Sequence, residues 1–106
     1  MNRARYVGQS YWTPSLLHSD QFTIIGTALV WKQCIAWAAP NVILDRPVGQ
    51  WYEMGRMPII GREARFYPSP AMPNFVQEIF TISEDGNSIT SKRQTADGST
   101  YTYSRQ

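Results

Sequence analysis

The sequence predicts a mainly β protein built on an antiparallel meander, and the evidence lies in its last third. Residues 75–83, FVQEIFTIS, are rich in the β-branched and aromatic side chains that strands favour. The acidic-glycine turn EDGN at 84–87 joins them to SITSKRQT, and a second turn, ADGS at 96–99, leads into TYTYSR. Because Asp-Gly turns between such runs are typical of β-hairpins, we expect three consecutive antiparallel strands.

Composition limits the range of functions. The chain has 106 residues, of which 42% are apolar and 17% charged, as expected for one small globular unit. The net charge of +2 arises from interspersed acids and bases, so the sequence has no basic stripe and does not favour nucleic-acid binding. The single Cys34 excludes an internal disulfide and a multi-cysteine metal site. We expect neither a metal nor a cofactor.

Residues 1–46 form a leader with one strongly apolar segment, FTIIGTALVWKQCIAWAAP at 22–40. Its continuous apolar run of ten residues is too short for a bilayer, which takes about 20. Two interpretations remain open: a signal peptide with the small-x-small pattern of Ala36-Trp37-Ala38, or a barrel-completing core element. Helical and strand periodicities both fit, so the element type is undecided.

The segment GQWYEMGRMP at 49–58 resembles the signature of the first barrel strand of lipocalins, Gly-x-Trp-Tyr-Glu-aliphatic-x-Arg-x-Pro. The likeness is to the bacterial and apolipoprotein D-like branch and covers about residues 45–106. It implies that residues 58–74 form a loop across the barrel mouth, before the meander. It also implies that Gly49 and Trp51 form the barrel base, where the indole closes the narrow end.

The resemblance covers only the front half of a lipocalin. Residues 47–106 offer about four strands, whereas about eight are needed to enclose one small ligand. We therefore expect an incomplete lipocalin-like barrel. It could be completed by residues 1–46, by a second copy in a homodimer, or by a missing C-terminal half.

The function implied by the resemblance is the binding or transport of a small hydrophobic ligand, such as a fatty acid or lysolipid. We assign seven residues to ligand binding: Met54, Arg56, Ile79, Phe80, Tyr101, Tyr103 and Arg105. Arg56 and Arg105 are candidates for holding an acidic head group, because a guanidinium is a planar fork of donors. The alternatives are a surface ion pair of Arg56 with Glu53 or Glu63, and a solvated outer face for Tyr101, Tyr103 and Arg105.

Two other classes of function compete with a carrier. The sequence does not favour an enzyme, because the single His18 has no nucleophile elbow or phosphate-binding glycine loop beside it, and Glu84 and Asp85 lie in a hairpin turn. The alternative to a carrier is an interaction module that pairs with another chain through exposed sheet edges. The compartment is undecided, with export to the periplasm or outside the cell as one outcome.

Overall fold

The computed structural model describes residues 4–8, 10–44, 46–72 and 75–106. All the named secondary-structure elements of this described part are β-strands. It contains no helix long and apolar enough to cross a membrane. The nine strands are β1 Ala4–Val7, β2 Tyr11–Trp12, β3 Leu16–Ile25, β4 Ala28–Ala38, β5 Trp51–Pro58, β6 Glu63–Phe66, β7 Glu78–Ile82, β8 Ser88–Arg93 and β9 Thr100–Arg105.

The strands form one antiparallel sheet that curls into a nearly closed barrel. Its order is β5-β4-β3-β1-β9-β8-β7-β6, and the short β2 adds to β3. Strand β1 pairs with both β3 and β9 and so joins the N-terminal strands to the C-terminal meander. Strands β5 and β6 lie side by side around a tight turn, where Ile60 and Glu63 form an isolated bridge. The predicted mainly β meander is confirmed.

Of the three expected ways to complete the barrel, the structure has the first, because strands β1 to β4 of the N-terminal part join the sheet. Strands β3 and β4 form the longest hairpin of the sheet, turning at Gly26, whose φ of 62° suits glycine. The apolar segment at 22–40 is therefore a barrel-completing element and not a helix. Its inward residues include Phe22, Leu29 and Trp31, which are all buried.

Two further expectations about the middle of the chain need correction. The segment 58–74 is not a continuous loop, because it contains β6, whose Ala64 and Phe66 are buried and face the core. The segment with the lipocalin-like signature is not the first barrel strand, since β5 follows β1, β3 and β4 and pairs with β4. Pro68 and Pro70 do lie in the connection from β6 to β7, and Pro73 falls outside the described residues.

The two predicted hairpins of the meander are confirmed, and their turns have the expected chemistry. Gly86 and Gly98 have φ of 74° and 59°. The carboxylate of Asp85 accepts hydrogen bonds from Ser83 Oγ at 2.7 Å and from the Asn87 backbone N–H at 3.0 Å, and these bonds, chiefly the one from Ser83, lower its pKa. The acidic residues of this turn thus stabilise local backbone geometry.

The barrel has one closed end and one open end. At the closed end, the Tyr6 hydroxyl donates to the Gly86 carbonyl at 2.7 Å, and Arg62 donates to the Ile82 carbonyl at 3.2 Å. Aromatic rings fill the interior above these turns. The ring centroid of Phe22 lies 5.9 Å from that of Trp31, on which it stacks, and 4.9 Å from that of Phe80. The opposite end, called the mouth below, is bordered by the connections from β4 to β5 and from β6 to β7.

Candidate functional site

A cavity of about 710 Å³ opens at the mouth of the barrel. Its walls come from strands on both halves of the sheet and from the two mouth loops. The apolar part of the lining includes Leu16, Trp31, Ile35, Val42, Ile43, Leu44, Met54, Met72, Phe75 and Val76. Trp31 and Tyr103 belong both to this lining and to the aromatic cluster, so the cluster lies directly beneath the cavity.

A buried carboxylate organises one wall of this cavity. The side chain of Asp20 accepts hydrogen bonds at Oδ1 from Trp31 Nε1 at 2.8 Å and from Gln33 Nε2 at 3.0 Å. Its Oδ2 lies 3.1 Å from His18 Nδ1. Alternation along β3 and β4 turns all four side chains inward. The three partners offset the cost of burying the charge.

Arg46 ties the β4–β5 loop to that wall. One guanidinium nitrogen donates to Gln33 Oε1 at 2.6 Å, and the other lies 3.0 Å from the Met54 sulfur. The guanidinium carbon also stands 5.8 Å from the centroid of the Tyr52 ring, within cation–π range. Arg46 and Asp20 are thus linked through Gln33, and a positive charge is fixed beside the entrance.

Glu78 faces the cavity from β7, with Arg93 opposite it on β8. Its Oε1 accepts a hydrogen bond from Ser91 Oγ at 3.0 Å. Burial raises the pKa of Glu78 above its ordinary 4.5, and the negative charge of Asp20 adds to the rise, whereas the Ser91 bond and the charge of Arg93 oppose it. The cavity wall therefore holds a carboxyl that takes up a proton more readily than one in water.

Glu78→Gln should change how stability depends on pH. Because the pKa of Glu78 is raised in the folded state, its contribution to stability is fully present below the unfolded pKa, near 4.5, and is lost as pH rises through the folded pKa. The glutamine keeps an acceptor for Ser91 and carries no charge. We expect urea unfolding to give the same free energy of unfolding for the wild type and the variant at acidic pH. Above that range, the free energy of unfolding should be larger for the variant. A less stable variant above that range would contradict this account of Glu78.

The structure brings three of the seven predicted ligand-binding residues to the cavity: Met54, Tyr101 and Tyr103. Phe80 faces inward but belongs to the aromatic cluster beneath, and its neighbour Ile79 lies on the opposite face of β7.

Neither predicted head-group arginine lines the cavity. Arg56 is exposed and donates to Glu53 at 2.8 Å, so the alternative of a surface ion pair is the correct one. Arg105 is exposed near the closed end, where its backbone N–H donates to Asn87.

The expected barrel base is also wrong. Trp51 begins β5 at the mouth end, opposite the outward-facing Cys34, and is 48% exposed. Gly49 lies in the preceding turn with a φ of 87°, and its N–H donates to the Ile35 carbonyl at 2.8 Å. The tryptophan therefore lies outside the barrel, and Phe22 and Phe80 occupy the interior instead.

Sequence patterns did not identify most of the polar residues that line the cavity: His18, Asp20, Gln33, Arg46, Glu78 and Arg93. A usable signal existed in the N-terminal hairpin. His18 and Asp20 alternate on one strand, and Gln33 stands between Trp31 and Ile35 on the next, so a period of two places all of them on the inner face. Arg46 lies in a loop, where periodicity gives no information.

Comparisons with family models, curated proteins and solved structures found no match to this chain. Among the residues that the structure describes, no three or more His, Cys, Asp or Glu side chains form a group that could hold a metal ion.

Proposed function

We propose that this protein binds a small amphipathic molecule with an apolar body and an acidic head group, such as a fatty acid or lysolipid, inside the barrel. The observation that carries the proposal is the cavity of about 710 Å³ at the mouth. Its volume falls within the range of small-molecule sites, about 300–1,000 Å³. Apolar loops border the entrance, and a few inward polar groups lie among apolar walls, a combination that suits an amphipathic ligand.

An acidic head group fits the charges of the lining. The Asp20 carboxylate already has three partners in its own wall, and Glu78 has Ser91 and the charge of Arg93. A guanidinium carries five N–H donors in a planar fork, so Arg93 can serve both its cross-strand neighbour and a ligand carboxylate. Tyr101 adds a phenol to the same cavity.

Arg93→Gln should weaken the binding of an acid more than that of its alcohol. We expect a difference of about 1.5–3 kcal/mol between dodecanoic acid and dodecanol, the range for hydrogen bonds to charged groups. Displacement of a fluorescent apolar probe measures both affinities. The substitution is best made together with Glu78→Gln and compared with that single variant, because Glu78 would otherwise lose its neighbouring positive charge.

Arg105→Gln is the matched control, since Arg105 is exposed outside the cavity. This control should leave both affinities unchanged. Equal losses for acid and alcohol in the Arg93 variant would remove the head-group role of Arg93 while leaving the apolar pocket in place.

The alternative function, strand pairing with another chain, has one specific location. Strands β5 and β6 end the hydrogen-bonded order of the sheet and meet at an isolated bridge. A partner strand inserted there would satisfy both edges. Concentration-dependent association without ligand uptake would favour this function over the carrier.

A further inference from the structure

We infer that the mouth of the barrel docks on a lipid bilayer through a collar of exposed apolar side chains. The collar consists of Trp12, Trp37, Ile43, Val48 and Trp51. This interaction goes beyond ligand binding, because it concerns the outer surface of the protein and requires no ligand in the cavity.

The collar is unusually exposed for side chains of this size. Ile43 is 96% exposed, Trp12 68% and Trp37 41%. The large exposed apolar residues of the described part also include Tyr67, in the other mouth loop, and Ile60, which is 80% exposed at the closed end. The apolar surface is therefore concentrated at one end of the barrel, and such concentrations mark interaction sites.

Strand pairing brings members of the collar close together. Trp12 and Trp37 both pair with Leu17 of β3, from the two sides of that strand, and their ring centroids are 5.8 Å apart. Trp51 follows on β5, next to β4. The connection between these two strands carries Ile43 and Val48.

A bilayer fits the composition of this surface. Tryptophan combines a large apolar ring with one polar N–H, which suits the boundary between acyl chains and head groups.

The collar borders one side of the entrance of the cavity. Trp12 and Ile43 are both exposed and part of the cavity lining. A bilayer at this end would face the cavity directly, and an apolar molecule could pass between the two without crossing water. That continuity favours a lipid surface over a protein partner.

Cosedimentation with phosphatidylcholine vesicles, without added ligand, tests the inference. We expect the protein to partition onto the vesicles with a blue shift of tryptophan emission. The double variant Trp37→Gln, Ile43→Ser should bind about a hundredfold more weakly, at about tenfold for each apolar side chain lost. Ile60→Ser is the matched control at the closed end and should bind like the wild type.

Failure of the folded wild type to sediment with vesicles would overturn the inference, as would an equal loss in the Ile60 variant. Self-association that the collar substitutions abolish, without vesicle binding, would assign the surface to a second copy instead. Because no ligand is present, a failure of ligand uptake and a failure of vesicle binding are separate results.

Discussion

Phe22→Ala is expected to lower the free energy of unfolding by about 3–5 kcal/mol, the usual cost of removing a buried aromatic ring. Phe22 is fully buried, and its ring centroid lies 4.6 Å from that of Tyr103 and 4.9 Å from that of Phe80. These contacts join the N-terminal hairpin to the C-terminal meander across the barrel. The cavity left by the substitution would therefore weaken the packing between the two halves.

Trp51→Ala is the informative comparison, because it removes a larger ring from the half-exposed outer surface and should cost less than about 1 kcal/mol. Urea unfolding followed by circular dichroism measures both losses. If Phe22→Ala does not fold, Phe22→Leu gives a smaller loss that can still be ranked above that of Trp51→Ala. A loss at Trp51 equal to or larger than that at Phe22 would contradict the assignment of the core.

Leu16→Trp should lower the affinity for an apolar ligand by at least about a hundredfold, or about 2.7 kcal/mol. Leu16 lines the cavity near its entrance, so an indole at this position would occupy the space that the ligand needs. Leu17→Trp makes the same change at the next residue of β3, whose side chain points to the opposite face. Affinity should therefore depend on the face that carries the added ring.

Local turn chemistry explains why the C-terminal meander could be predicted from the sequence. The glycines of EDGN and ADGS supply the positive φ that the two tight turns require, and the flanking residues favour strands. The type of the N-terminal apolar segment stays undecided from sequence because helical spacing also links its apolar residues, Phe22, Ile25, Leu29 and Ala36. Strand β6 was missed because its four residues precede a proline-rich loop.

The candidate site was harder to predict because it depends on contacts between distant segments. The local motif around Trp51 does not determine which face of β5 the indole occupies. Pairing with the outward-facing Cys34 places the indole outside the barrel. Arg46 reaches the cavity through contacts between a loop and two strands, with Gln33 on β4 and Met54 on β5. Strand alternation places Tyr101 and Tyr103 on one face, but only the curvature of the whole sheet decides that this face lines the cavity.

The most direct test of ligand binding in the barrel is a fluorescence titration of the wild type, Leu16→Trp and Leu17→Trp with one apolar probe that dodecanoic acid can displace. We predict saturable binding of one probe per chain to the wild type with micromolar affinity, the same affinity for Leu17→Trp, and loss of binding for folded Leu16→Trp. Absence of saturable uptake by the folded wild type, or unchanged binding by Leu16→Trp, would contradict the proposal that the cavity is the ligand site.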